Sequence, residues 1–474
     1  MIGYGLLNNS SILLDKSRPY LSVKNRRQQR YELRSPERHP KSGWNRHPPI
    51  CVRSWLPRCW PELGRSLPGP SNQGIRIFSI CAPFLLAARV RFGFQRLDSI
   101  QETSPVQDFI DCFSEVSDPR GENIRHDLHE ILLIALCTML CGGEDCSDMV
   151  EFGHAKRPFL RQFLRLKHGI PSHDTFSRVF RLLDPEPFHA CFVRFMERFA
   201  QGLEGVVAID GKTLRRSFDR ASGQSALHMV HAWASDQRLL LGQVATEAKS
   251  NEITAVPKLL SMLSLKGCIV TADAMGCQRA ICAQIVEQGG DYAIALKGNQ
   301  GTLHEDVRLF LEDPDRTAET SHRTVDADHG RIETRIGSVC TDIDWLKERH
   351  AWPGLAAIGR MVRTRESKGK TETEISYYLL SAPLTAERFA EVARAHWGVE
   401  NGLHWVLDVT MNEDAKRNRK DHGPENIALL RRLALNLAKL EGSKGSMKGK
   451  LKRAGWNDEF LARLLSQFAK SHMR

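Results

Sequence analysis

Cysteine pairs at metal-finger spacing are missing from this chain. Cys137, Cys141 and Cys146 stand at steps of four and five and Cys277 and Cys282 at five, none of which is the paired rhythm of a zinc site. Met1 opens no secretory signal, so reduced thiols in a cytosolic protein are the expectation, with no disulfide and no structural zinc. An apolar run of membrane length is missing too. The most apolar early stretch, IFSICAPFLLAARV, falls short of the roughly 20 residues a span needs, and Arg76, Arg89 and Arg91 bracket it. No transmembrane helix and no membrane partner are expected.

A net positive charge is likewise missing beyond the first 97 residues. The chain carries +11 in all, yet Met1 to Leu97 hold 17 Lys and Arg against 4 Asp and Glu, a local +13. The other positions share 50 basic and 52 acidic residues, a net of −2. Nucleic-acid binding therefore does not follow from net charge. Residues 1–97 are rich in Arg, Pro, Ser and Trp, poor in acids and without sustained periodicity, so they cannot readily bury a core. They are expected to be a disordered or spurious N-terminal extension.

From about Val106 the pattern turns helical. LHEILLIALCTML reads as a strongly apolar helix and FHACFVRFMERFAQGL as an amphipathic one, while GIPSHDTFSRVFRLLD places Pro171 and Ser172 ahead of a helix with Asp174 in its first turn. From Val206, strands VVAID, LHMVHAWAS and LLLGQVAT precede a helix, ITAVPKLLSML. A strand CIVTAD, a helix AICAQIVEQ and a strand DYAIALK follow. This order predicts an α/β fold, a mixed sheet with flanking helices. RIETRIGSVCTDI, LAAIGRMVRTRES and TETEISYYLLS are rich in strand formers and predict a β-rich insertion before the last helical segment. The expected divisions are a helical domain at 98–203, an α/β domain at 204–440 with its insertion at about 303–385, and a basic helical tail at 441–474.

Three carboxylates stand out by context: Asp210 in VVAIDGKTLRRS, Asp273 in CIVTADAMGCQ and Glu400 in RAHWGVENGLHWVLDV. The aspartates end strand-like runs, and open sheets gather ligands at the carboxyl ends of their strands. Glu400 lies in a helical segment that can cross those ends. Magnesium takes oxygen ligands and keeps positions open for water and phosphate. Two such ions roughly 3.5–4 Å apart serve an in-line displacement at phosphorus, with no covalent nucleophile. Taken singly, each residue has another reading. Asp-Gly commonly makes a turn, and a helical Glu is usually solvated.

The stretches AIDGKTLRRS, ATEAKSNEI, TADAMGCQ, YAIALKGNQ, HGRIETR and HWGVENGLHWVLDVTMNEDAKRNRK occur in this order. Together they resemble the Asp-Asp-Glu transposases of bacterial insertion sequences, in the H-repeat-associated (ISAs-type) branch, over roughly Pro105 to Leu465. The resemblance implies a ribonuclease-H-like core with Asp210, Asp273 and Glu400 as the metal-binding catalytic triad. It implies Mg2+, with Mn2+ able to substitute, and cleavage at the element's ends followed by transfer of the freed 3′-hydroxyl into target DNA. The implied partners are double-stranded DNA, as terminal inverted repeats and target, and a second copy in an at least dimeric synaptic complex. The implied location is the bacterial cytoplasm, at the nucleoid when DNA is bound. Related cut-and-paste enzymes carry a Tyr, an Arg and a Lys around the glutamate, where this chain has Ala393, His396 and Leu407. A nuclease limited to nicking and a catalytically inactive DNA-binding remnant are the alternatives.

Glu400, His404 and Asp408 share a helical face at four-residue steps. His404 either touches the scissile phosphate, orients Glu400, or pairs with carboxylates on its own helix. Asp408 and Glu413 are rivals for the third ligand position. Candidate DNA contacts are Arg178 and Arg181 in the helical domain, Lys297 and Asn299 after the last core strand, and His329 and Arg331 in the insertion. Lys416, Arg417 and Arg419 complete the set. Such residues neutralise phosphates or form ordinary solvated surface, and the helical domain either reads DNA ends or packs on the core.

Overall fold

The computed structural model describes residues 105–469 apart from 123, 201–203, 222, 224, 247–251, 314–319 and 329. The expected extension at 1–97 and the candidate His329 lie outside the described residues. Six helices come first: α1 (Pro105–Cys112), α2 (Leu128–Leu140), α3 (Cys146–Ala155), α4 (Arg157–Leu160), α5 (His173–Leu182) and α6 (Pro185–Ala200). α2 is apolar on every side and is buried continuously from Ile131 to Leu140, as an all-round apolar helix must be. Asp127 caps it by accepting the Glu130 N–H. α5 starts where Pro171 and Ser172 predict. The Ser172 hydroxyl caps it by accepting the Thr175 N–H, and Phe176, Val179 and Phe180 turn inward at helical spacing.

The α/β region runs β1 (Gly205–Thr213), β2 (His228–Ala234), β3 (Leu239–Thr246), α7 (Glu252–Ser261), β4 (Cys268–Ala272), α8 (Arg279–Glu287), β5 (Asp291–Leu296) and α9 (Gly301–Glu312). It continues through β6 (Thr320–Asp328), β7 (Arg331–Cys340), α10 (Asp344–His350), β8 (Ala357–Ser367), β9 (Lys370–Leu380) and α11 (Ala386–His396). After a π-helical turn at Glu400–His404 come α12 (Trp405–Val409), α13 (Gly423–Leu440), α14 (Met447–Trp456) and α15 (Asp458–Leu465). The strands form one nine-stranded mixed sheet in the order β3-β2-β1-β4-β5-β9-β8-β7-β6. β4 runs parallel to β1 and β5, and the other pairings are antiparallel.

Two features of packing position the site. β9 pairs with β5, from Ala293↔Leu380 to Leu296↔Tyr377, so the strand-rich stretch before Glu400 continues the core sheet. A single core also joins α1–α6 to α13–α15 and takes in Trp233 of β2 and Val399, Leu403 and Leu407 beside Glu400. A second core lies between the central strands and α7–α10, and a third beneath α11. Among the described residues no helix is long and apolar enough to cross a membrane, and none of the nine cysteines there forms a disulfide.

Candidate active site

The parallel ladder between β1 and β4 runs from Gly205↔Cys268 to Ile209↔Ala272. One step further along each chain is an aspartate, Asp210 and Asp273, so shared register carries the two carboxylates to the same sheet edge. Asp273 caps a 3-10 turn at Ala274–Gly276, where Oδ1 accepts the Met275 N–H at 2.9 Å. Asp210-Gly211 is no turn, since both residues lie within β1 and Gly211 pairs with Val230. Packing explains the glycine. A Cβ at 211 would lie 2.4 Å from His228 Nε2 and 2.5 Å from Glu252 Oε1, two atoms that hydrogen-bond at 2.7 Å.

Glu400 arrives on a broken helix. α11 ends at His396, and across the π turn the Trp405 N–H reaches back to the Glu400 carbonyl. Such single turns recur at functional sites because they re-aim side chains without ending a helix. Gly402 lets the turn press against β2, for a Cβ there would lie 2.7 Å from Trp233. Val399, Leu403 and Leu407 are buried beneath it and hold it in place. Asp210, Glu400 and His404 each offer one ligand atom, and these atoms all lie within 4.8 Å of one another. His404 Nδ1 is 3.5 Å from Asp210 Oδ2, while Asp210 Oδ1 accepts the Gly211 N–H at 2.8 Å. Burial, together with the charges of Glu400, Asp273 and Glu252, pushes the Asp210 carboxyl up to about 7 against that backbone bond. Asp273 stands outside the tightest group but acts on Asp210 through its charge. Such concentrated negative charge is what a divalent cation relieves.

The rivals for the third position are engaged elsewhere. Asp408 lies 2.7 Å from Lys212 Nζ, and the fully buried Glu413 takes both Arg432 Nη atoms at 2.6 and 3.2 Å. Neither joins the ligand cluster. Ala393 and Leu407 are buried, and His396 Nδ1 is 3.0 Å from Thr271 Oγ1. Burial pushes His396 down to about 4 against the pull of Asp273, so none of these three positions presents a cation at neutral pH.

The other sequence candidates fall into separate places. Asn299 donates to the Ala274 carbonyl at 2.6 Å and ties its turn to that of Asp273, with exposed Lys297 beside it. Arg181, bound to Asp421 at 2.7 Å, lines one cleft together with Lys416, Arg417 and Arg419. Within that cleft Lys416 pairs with Glu144, and Arg419 lies over the Phe218 ring. Arg178 faces a different hollow, beside Arg120 and Arg125. Arg331 lines a groove with Arg335, Arg363, Arg365, Arg394, Trp397 and Asn401, where Glu333 pairs with Arg331 and Arg335 and Glu374 with Arg363. Sequence reasoning missed Lys212, His228, His231 and Arg432 around the site. The signal was there: two histidines in the otherwise apolar HMVHAWA, and two arginines within IALLRRLALNL.

A nine-stranded mixed sheet with flanking helices fits the ribonuclease-H-like fold class. The chain belongs to the family described as Transposase DDE domain, which matches residues 201–437, and residues 110–196 match the family described as DDE_Tnp_1-associated. It is 39% identical over 352 residues to the "H repeat-associated putative transposase YhhI" of Escherichia coli (strain K12), covering 72% of this chain and 93% of that one. It is also 47% identical over 274 residues to the "Uncharacterized protein in dhlA 3'region" of Xanthobacter autotrophicus, covering 57% and 92%. A chain of the piggyBac transposase synaptic complex with hairpin DNA superposes with a TM-score of 0.36 at 13% identity, covering 78% of this chain and 82% of that one. The chain is thus a DDE transposase of the H-repeat-associated branch.

Proposed function

We propose that this transposase cuts DNA strands at the ends of its element and joins the freed 3′-hydroxyl to target DNA, using a divalent cation held by Asp210, Asp273 and Glu400. The observation that carries the reading is the meeting of these acids at one sheet edge, with the Asp210 carboxyl pushed up to about 7 by burial and by its acidic neighbours. Among the described residues the ion-pair contact of Asp210 is His404, with no Lys or Arg. An oxygen-rich, uncompensated donor set suits Mg2+, and Mn2+ accepts the same geometry. When bound, such ions activate the attacking oxygen and stabilise the leaving one. The protein's own part is to hold the acids: the Gly211 and Met275 N–H groups fix the aspartates, and the π turn carries Glu400.

The groove of Arg331, Arg335, Arg363, Arg365 and Arg394, five cations against Glu333 and Glu374, suits a phosphodiester backbone, with Arg331 among its contacts. Trp397 is 52% exposed, with the Arg363 guanidinium 5.6 Å from its ring, and offers a face for an unstacked base. The cleft of Arg181, Lys416, Arg417 and Arg419, together with Arg178, Lys297 and Asn299, gives further phosphate contacts. The substrate in this reading is double-stranded DNA in the bacterial cytoplasm, gripped by at least two copies of the chain.

Strand cleavage by the full chain with Mg2+, on DNA carrying both flanks of its own gene, tests the reading. Discrete cuts and joined products are expected, absent in Glu400→Ala and Asp273→Asn. Specific binding persists in those variants, because binding rests on phosphate and base contacts elsewhere. Cuts without joined products would leave a nicking nuclease, and wild-type binding without cuts an inactive DNA-binding remnant.

A further inference from the structure

Behind Asp210 runs a line of buried side chains that the scheme above leaves unused. Glu413 holds the Arg432 guanidinium, and Arg432 Nε lies 3.1 Å from His231 Nε2. His231 Nδ1 is 3.2 Å from His404 Nε2, and His404 Nδ1 is 3.5 Å from Asp210 Oδ2. The direction of this chain follows from donor counting. A guanidinium donates and never accepts, so His231 Nε2 is the acceptor and a neutral His231 must carry its proton on Nδ1. That proton is donated to His404 Nε2, which leaves the proton of a neutral His404 on Nδ1, the nitrogen beside Asp210. A His404 protonated on both nitrogens would oppose its Nε2–H to the His231 Nδ1–H, so the hydrogen bond between the two rings itself requires a neutral His404.

We propose that Arg432 and His231 orient His404 through two hydrogen bonds of one direction, so that its Nδ1–H faces Asp210 Oδ2 at 3.5 Å, with His404 a positioning residue for that carboxylate and not a metal ligand. The spacing of Asp210, Glu400 and His404 would by itself admit His404 as a third ligand. Ligation through Nδ1, however, moves the proton to Nε2, where it would face the Nδ1–H of His231 across 3.2 Å. That replaces a buried hydrogen bond with two opposed donors, a cost the interior does not tolerate cheaply. Instead the relay turns the His404 Nδ1–H toward one oxygen of Asp210, 3.5 Å away, while the Gly211 N–H holds the other at 2.8 Å, in the manner of carboxylates oriented from behind a metal site.

The proposal rests on the reading of Asp210 as a cation ligand, and its test separates the two. Nitrogen NMR of the 15N-histidine-labelled full chain without metal is expected to show His404, assigned by its loss in His404→Asn, as the Nδ1–H tautomer. An Nε2–H tautomer overturns the relay. Titration with Mn2+ is expected to show His404→Leu binding roughly 10–100-fold more weakly than wild type, the usual effect of losing such a partner. His404→Asn, whose amide nitrogen overlies the lost Nδ1, recovers most of that affinity. Equal affinity in His404→Leu, or nitrogen hyperfine coupling to Mn2+ that vanishes in His404→Asn, overturns the positioning role. An Nδ1–H tautomer in a chain that binds no Mn2+ leaves the relay standing and removes the metal reading alone.

Discussion

Asp210 is held at a cost to the cation-free fold. Its carboxyl ordinarily titrates near 3.8 and stands at about 7 here, so between these values the folded chain binds a proton that the unfolded chain lacks. Stability therefore falls as pH rises through that window and stays lower above it. Asp210→Asn is expected to stabilise the cation-free protein by about 2–4 kcal/mol at pH 8 and by nothing at pH 3, in urea unfolding at both pH values. A gain that does not vary with pH would detach the effect from this carboxyl. Gly402 makes a second case. A methyl group there would lie 2.7 Å from Trp233, so Gly402→Ala is expected to cost about 1–3 kcal/mol in thermal unfolding. By shifting Glu400 it should also slow DNA cleavage by about 100-fold. Asp273 was legible as an acid at a strand end, because strand runs and their ends are local patterns, whereas β1 runs on past Asp210 to Thr213. Gly211 was not, since its smallness answers the His228–Glu252 pair, which comes from distant parts of the chain.

The helix carrying Glu400 shows what local pattern leaves out. Four-residue spacing aligns Glu400, His404 and Asp408 on one face, but the π turn and Lys212 divide them: the first two meet Asp210 and the third meets Lys212. α13 carries the other decisive interaction. Burial works against the Glu413 carboxylate, but the Arg432 and Arg431 guanidiniums outweigh it and hold the group below its ordinary range. Its contribution is therefore present at neutral pH and is lost as the pH falls through that lowered value. Glu413→Gln leaves Arg432 buried without its counter-charge and is expected to cost about 3–5 kcal/mol in denaturant unfolding at pH 7. A loss below about 1 kcal/mol would mean that water reaches Arg432 in the folded state.

Across the whole molecule, the divisions suggested by sequence share their packing. The 98–203 helices, the 441–474 tail and the residues under Glu400 contribute to the same core. A chain beginning at residue 204 would expose the faces of Leu403, Leu407 and α13 that α1–α6 cover. It is expected to aggregate and to lose cooperative thermal unfolding, by gel filtration and circular dichroism. A monomeric, cooperatively melting 204–474 would show that the helices pack without supporting the site. The strands before Glu400 were likewise legible as strands, but pairing of β9 with β5 depends on non-local register that no local pattern encodes.

The sequence alone determined the helix and strand order, the mixed α/β class and the transposase setting in which the three acids stand as candidates, because periodicity, caps and ordered motifs are local and survive in one dimension. The tertiary structure decided which side chains meet at the site, that Asp408 and Glu413 belong to Lys212 and Arg432, and that Arg432, His231 and His404 stand in line behind Asp210. Those outcomes depend on burial and on partners about 200 residues apart, such as His231 and Arg432. A buried charge or imidazole takes its role from what surrounds it, and only the folded chain supplies those surroundings.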